Sequence, residues 1–72
     1  MLNYEIKRRL LVLSENKKTH WTKELAQISW NGAPAKYDIR DWSPDHQKLS
    51  KGITLTEEEM GKIKEAILCG LI

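Results

Sequence analysis

The segment Thr56-Glu57-Glu58-Glu59 divides this chain more sharply than any other feature. A threonine followed three residues later by a glutamate is a capping box. The hydroxyl accepts from the N–H of the third helical residue, and the glutamate carboxylate accepts from the N–H of the threonine itself. Three consecutive acids also meet the positive end of the helix dipole. A helix therefore begins here. Met60, Ile63, Ile67 and Leu71, reinforced by Leu68, recur at helical spacing as one apolar stripe, while Lys62, Lys64 and Glu65 face water. Gly61 weakens the helix body and Gly70 marks its end.

Upstream of that boundary the pattern changes to a period of two. From Trp21 to Trp30, residues Ala26, Ile28 and Trp30 alternate with Leu25, Gln27 and Ser29, which predicts a strand. Asn31-Gly32 is a hairpin signal, and the following Ala33-Pro34 lengthens the expected loop. Ala35 to Trp42 is read as the next strand, with Tyr37 and Ile39 on an apolar face and Lys36, Asp38, Arg40 and Trp42 on a cationic one. Ser43 to His46 reads as a turn, Gln47 to Lys51 as a polar loop carrying Lys48 and Lys51, and Ile53 to Leu55 as a short strand. Residues 4 to 14 satisfy two templates: Ile6, Leu10 and Leu13 lie at helical spacing, yet Leu10 to Leu13 form a continuous apolar run. Ser14 to Thr19 is a polar turn. The order is strand, strand, strand, short strand, helix, an α+β arrangement in a single domain spanning residues 1–72.

A domain of 72 residues buries a modest fraction of its surface and usually needs a staple or a partner. One cysteine, Cys69, excludes an intrachain disulfide, and His20 and His46 lack metal-ligand spacing with it or with each other. Cys69 reads as a small apolar helix residue in a reducing cytosol. A second subunit is the remaining remedy, so a homodimer is expected, with Met60, Ile63 and Ile67 packing either on the sheet or on the same helix of a partner. The longest apolar run has four residues, far short of the roughly 20 that span a membrane. The N-terminus has no signal-peptide pattern, and a soluble cytoplasmic protein is expected. The net charge of +2 permits nucleic-acid binding without demanding it.

Catalysis has few candidates. Asp38, Asp41, Asp45 and His46 gather around one turn and would suit a minimal nuclease. Simpler roles account for them, Asp45 as a turn former and Asp38 and Asp41 as partners of Lys36 and Arg40. No enzyme and no cofactor are expected. Trp21, Trp30 and Trp42 say more: three tryptophans and no phenylalanine, at strands or their ends, with Lys23, Lys36 and Arg40 nearby. Unpaired bases stack on such rings while lysine and arginine follow the phosphates. The competing reading makes the tryptophans core or interface anchors, and composition alone leaves the two at parity. Lys7-Arg8-Arg9 either extends a nucleic-acid path or solvates a strand.

Three blocks then carry a resemblance: Ile28-Ser29-Trp30-Asn31-Gly32; Lys36-Tyr37-Asp38-Ile39-Arg40-Asp41-Trp42; and Lys51-Gly52-Ile53-Thr54-Leu55-Thr56 leading into the acidic helix start. From about Trp21 to Leu68 the chain resembles the transcriptional positive cofactor four family (coactivator p15 C-terminal domain), in particular its short bacterial YdbC-type members. The resemblance implies a four-stranded curved antiparallel sheet followed by a C-terminal helix (ββββα), a dimer, and a groove where single-stranded DNA splays its bases on aromatics. Trp30 falls near a family aromatic, Arg40 on a family arginine, and Lys51 on the basic residue before the Gly-Ile. Trp42 matches an aromatic region to within a residue. Lys23 and Lys36 follow from strand position, and Lys48 lies in a loop shorter than in the eukaryotic members. The implied partner is single-stranded DNA, with RNA as a second ligand. The rival is a protein interaction module whose tryptophans and helix stripe bind another polypeptide.

Overall fold

The computed structural model describes residues 3–72. The chain runs β1 (Tyr4–Glu15), β2 (Thr22–Trp30), β3 (Lys36–Trp42), β4 (Leu49–Leu55) and α1 (Glu57–Leu68). The strands form one antiparallel sheet in the order β1-β2-β3-β4. The ambiguous N-terminal segment is therefore a strand. Its pairing with β2 slips three times, between Ile6 and Arg8, Arg9 and Leu11, and Val12 and Ser14. Each slip sets an extra β1 residue against β2, which bends the strand and breaks the flat edge it would offer to another chain.

The Asn31-Gly32 signal is realised as a tight turn, both residues having positive φ (52° and 78°). The Ala33 N–H donates to the Trp30 carbonyl at 2.9 Å. Pro34, with no N–H to give the ladder, delays β3 to Lys36. The fourth strand is longer than its apolar pattern indicates. Leu49, Ser50 and Lys51, expected in a loop, belong to β4, and Leu49 pairs with Trp42. An edge strand accepts polar residues, so its pairing is set by β3 and not by its own alternation.

The two faces of the sheet are used unequally. Ladder partners Ile6, Ile28 and Lys36 share the inner face with Ala26, Asp38 and Thr54, with Glu24, Arg40 and Gly52, and with Thr22, Trp42 and Leu49. On it lies the core of Ala26, Ile28 and Trp42, edged by Tyr4, Ile6, Trp30 and Leu49. The Tyr4 ring of β1 reaches the Trp42 ring of β3 across β2, with centroids 5.7 Å apart. That inner face is the one read from the sequence as cationic.

The capping box forms as expected: the Glu59 N–H donates to Thr56 Oγ1 (3.1 Å), and the Thr56 N–H donates to Glu59 Oε1 (2.8 Å). The helix ends in a left-handed Gly70, where the Gly70 and Leu71 N–H groups return to the Ile67 and Ala66 carbonyls. Only the start of α1 is seated. Met60 is buried against the chain's own sheet, so it has little surface left for a second subunit. Ile63, Ile67, Leu68 and Leu71 remain exposed.

Candidate nucleic-acid interface

On the inner face, Arg40 is a clamp before it is a free cation. Its Nε and Nη2 donate to the two carboxylate oxygens of Asp38 (2.5 and 2.8 Å), and its Nη1 donates to the Ser50 carbonyl (3.1 Å). Asp38 is fully buried and also accepts from the Thr54 hydroxyl at 3.1 Å. The guanidinium lies over the Trp30 ring, 4.6 Å from its centroid. Tyr4 sits 5.4 Å from Trp30, and the buried Trp30 indole N–H has no acceptor among the described residues. Gly52 makes this possible, because a Cβ there would collide with the Arg40 Cβ and the Ile39 carbonyl. The pairing of Asp38 with Arg40 is thus the simpler of the two roles considered for that carboxylate, in a bidentate geometry that favours arginine.

Trp42 corrects an expectation. Alternation places it with Arg40, as the sequence reading has it, but that face is covered, and Trp42 is only 1% exposed. It is a core residue packed between Tyr4 and His46, the latter stacked at 5.9 Å. His46 Nε2 lies 2.8 Å from Glu24 Oε2, which also accepts from the Thr22 hydroxyl at 2.5 Å. Burial pushes the Glu24 carboxyl up, but the hydrogen bonds from Thr22 and His46 and the fields of His46 and Arg9 outweigh it and hold it below the usual range. No pattern in the sequence links Glu24 to His46; their separation of 22 positions closes only in the fold.

The lysines lie elsewhere. Lys23, Lys36, Lys48 and Lys51 are all exposed. Lys36 ends the inner face opposite Ile28, Lys48 stands on the turn closed by the Ser43 N–H to Lys48 carbonyl bond (3.0 Å), and Lys51 lies in β4 next to Gly52. At the register shift in β4 the Ser50 hydroxyl accepts from the Asp41 N–H (3.1 Å). Lys23 is on the outer face, paired with Ser14 on one side and Asp41 on the other. Trp21, just before β2, is half-buried beside them, and these residues line an open cleft of about 450 Å³ with Glu15, Asn16 and Thr19.

The acidic turn cluster disperses. Asp38 holds Arg40, Asp41 faces the outer cleft, Asp45 accepts from Ser43 and Gln47, and His46 turns to Glu24. The Ser43 hydroxyl and then the Gln47 N–H keep the Asp45 carboxyl below its usual range. Among the described residues no group of three or more His, Cys, Asp or Glu side chains is spaced to hold a metal ion. Cys69 is exposed at the helix C-cap, and among the described residues no helix is long and apolar enough to cross a membrane.

These features define a class: a small ββββα domain with an arginine–tryptophan stack inside a bent sheet, lysines around it and an acid-capped C-terminal helix. The family described as Transcriptional Coactivator p15 (PC4) matches residues 17–66, from the β1–β2 turn into α1, and the chain belongs to that family. It is also 46% identical over 65 residues to an uncharacterized protein of Treponema pallidum (strain Nichols), a match covering 90% of this chain and 75% of that protein.

Proposed function

We propose that the chain is a homodimeric, sequence-tolerant single-stranded-DNA-binding protein with a transcription-related role. The observation that carries this reading is the family match across β2, β3, β4 and most of α1. The exposed Lys23, Lys36, Lys48 and Lys51 neutralise phosphates, releasing condensed counterions. Trp30 supplies aromatic surface at the rim of the inner face. Arg40 contributes the N–H groups that Asp38 and Ser50 leave over, and Trp42 acts as the floor beneath. The exposed Ile63 and Ile67, with Leu68, are covered by the helix of a second subunit.

Fluorescence anisotropy with a labelled thymidine oligomer and a duplex of equal length tests the ligand. Tighter binding to the single strand is expected, with affinity falling as salt rises by a log–log slope of about 0.7 per phosphate neutralised. Equal or tighter duplex binding, or indifference to salt, would sink the reading. A uridine oligomer used as competitor shows whether RNA shares the surface. Ile67→Glu should convert a dimer to a monomer in sedimentation, and an unchanged mass would remove the helix from the interface. The exposed stripe also favours a rival, in which the domain binds another polypeptide. A stoichiometric protein partner, with no oligonucleotide shift, would establish it.

A further inference from the structure

The outer cleft at the β1–β2 turn has no part in the inner-face cluster, and its tryptophan is the least engaged of the three. We propose that this cleft is a nucleobase pocket, in which Trp21 stacks one base of the bound strand and Asp41 reads its edge, with a preference for guanine. The inference rests on the single-strand-binding reading and adds to it a site on the opposite face of the sheet.

The pocket is built before any ligand arrives. The Asn16 N–H donates to the Trp21 carbonyl (2.8 Å) and the His20 N–H to the Asn16 carbonyl (2.7 Å), closing the turn around a left-handed His20 (φ 65°). Asn16 Oδ1 accepts from the Lys18 and Thr19 N–H groups, and the Trp21 N–H donates to Thr19 Oγ1 at 3.2 Å. Five hydrogen bonds thus position the backbone that carries Trp21. A turn backbone held this way loses little freedom on binding. Among the described residues no aromatic ring or cation stacks on the Trp21 ring, whereas Trp30 already contacts Arg40 and Tyr4, and Trp42 contacts Tyr4 and His46.

The groups beside the ring have unused capacity. Lys23 and Asp41 are direct cross-strand neighbours, yet among the described residues neither forms an ion pair. The Asp41 carboxylate also makes no hydrogen bond there; only its backbone N–H is engaged, by Ser50. Glu15, the other acid of the cleft, is turned to His20 Nδ1 at 2.9 Å, and that bond holds its carboxyl below the usual range. Lys17 and Lys18 are exposed on the turn, so cations flank the cleft where a sugar-phosphate chain would enter. Its volume of about 450 Å³ falls among small-ligand sites, which run from roughly 300 to 1,000 Å³.

The edge preference follows from donor and acceptor counts. A carboxylate only accepts. Guanine offers it two adjacent donors, N1–H and the N2 amine. Adenine and cytosine each offer one amino group beside a ring acceptor, and the single N3–H of thymine is flanked by two carbonyl oxygens that repel the carboxylate.

Binding of the full chain to a short thymidine oligomer, to the same oligomer with one central guanosine, and to one with deoxyinosine there tests the pocket. The guanosine should raise affinity about tenfold, a bidentate edge contact being worth that much or more, and deoxyinosine, lacking the N2 amine, should fall between. Asp41→Asn should erase the guanosine advantage with little change for thymidine. Trp21→Ala should weaken both oligomers about tenfold, and Trp21→Phe should restore most of the loss. In ¹H–¹⁵N spectra the Trp21 indole N–H should move on binding, and the thermal melt of each variant shows whether it is folded. If wild-type and Asp41→Asn proteins bind both oligomers alike, or if a folded Trp21→Ala binds like wild type, the pocket is refuted while single-strand binding stands. A wild-type chain that binds no oligomer refutes both.

Discussion

The two ends of β2 bring a tryptophan, a basic residue and an aspartate together, with opposite results. At the Trp30 end the aspartate and the arginine lie two positions apart on β3, on the same face, and close on each other as a bidentate pair under the indole. At the Trp21 end, Lys23 and Asp41 are opposite each other on β2 and β3 on the outer face without bonding, and the half-buried Trp21 lines the open cleft beside them. Coverage accounts for the difference. A charge pair removed from water must satisfy itself completely or destabilise the fold, whereas the same groups at a wet surface gain little by pairing. Aromatic and basic residues in proximity therefore hold the sheet together in one place and leave binding capacity in the other.

The most severe test of this contrast is Asp38→Ala. It leaves the half-buried Arg40 guanidinium without its carboxylate, with the Ser50 carbonyl as its remaining acceptor, and should cost about 3 kcal/mol in urea denaturation, a large part of the stability of a domain this size. A loss under about 1 kcal/mol would mean that the pair is solvated and the contrast empty. Gly52→Ala should cost about 1–3 kcal/mol, because β4 must move off the Arg40 Cβ and the Ile39 carbonyl; an unchanged midpoint would show that the strand relaxes freely.

A gentler effect comes from Glu24, whose lowered carboxyl pKa makes stability pH-dependent. Its contribution is complete above the usual glutamate range and disappears as the pH falls through the lower folded value, since the unfolded chain takes up the proton first. Burial opposes the hydrogen bonds here, so the effect is modest. Glu24→Gln should flatten the acid limb of a stability–pH profile, and an identical limb in the variant would assign acid sensitivity to another carboxylate. Smallest of all, Lys23→Ala should alter stability by no more than about 0.5 kcal/mol, since the side chain is exposed and unpaired. A larger loss would make the outer cleft a structural element like the inner one.

The helix was legible because its start signal is local. Threonine and glutamate at a spacing of three bond each other's neighbourhoods with no help from the rest of the chain. The Asn31-Gly32 turn was legible for the same reason, since both positions require positive φ. The start of β4 was not, because Leu49 is flanked by Lys48, Ser50 and Lys51, and its partner Trp42 stands seven positions away on another strand. Of the expected binding residues, the exposure of Lys23, Lys36, Lys48 and Lys51 accords with a role at the surface. Trp42 is taken up by the chain's own core, and Met60, expected to pack either on the sheet or on a partner helix, packs within the chain.

On its own the sequence determined the order of elements from β2 to α1, the membership of each face of β3, and the family blocks around Arg40 and Lys51; that residues 4–15 form a strand was decided by pairing with β2. Only the tertiary structure decided which face is covered. Alternation states that Lys36, Asp38, Arg40 and Trp42 point the same way, but the direction they share is set by the bending of β1 and by contacts from Tyr4, Thr54 and His46. Covering the middle of that face paired Arg40 with Asp38 and took Trp42 into the core, and left Lys36 exposed at its end. Leaving the β1–β2 end of the other face open put Trp21, Lys23 and Asp41 beside one another at an open cleft.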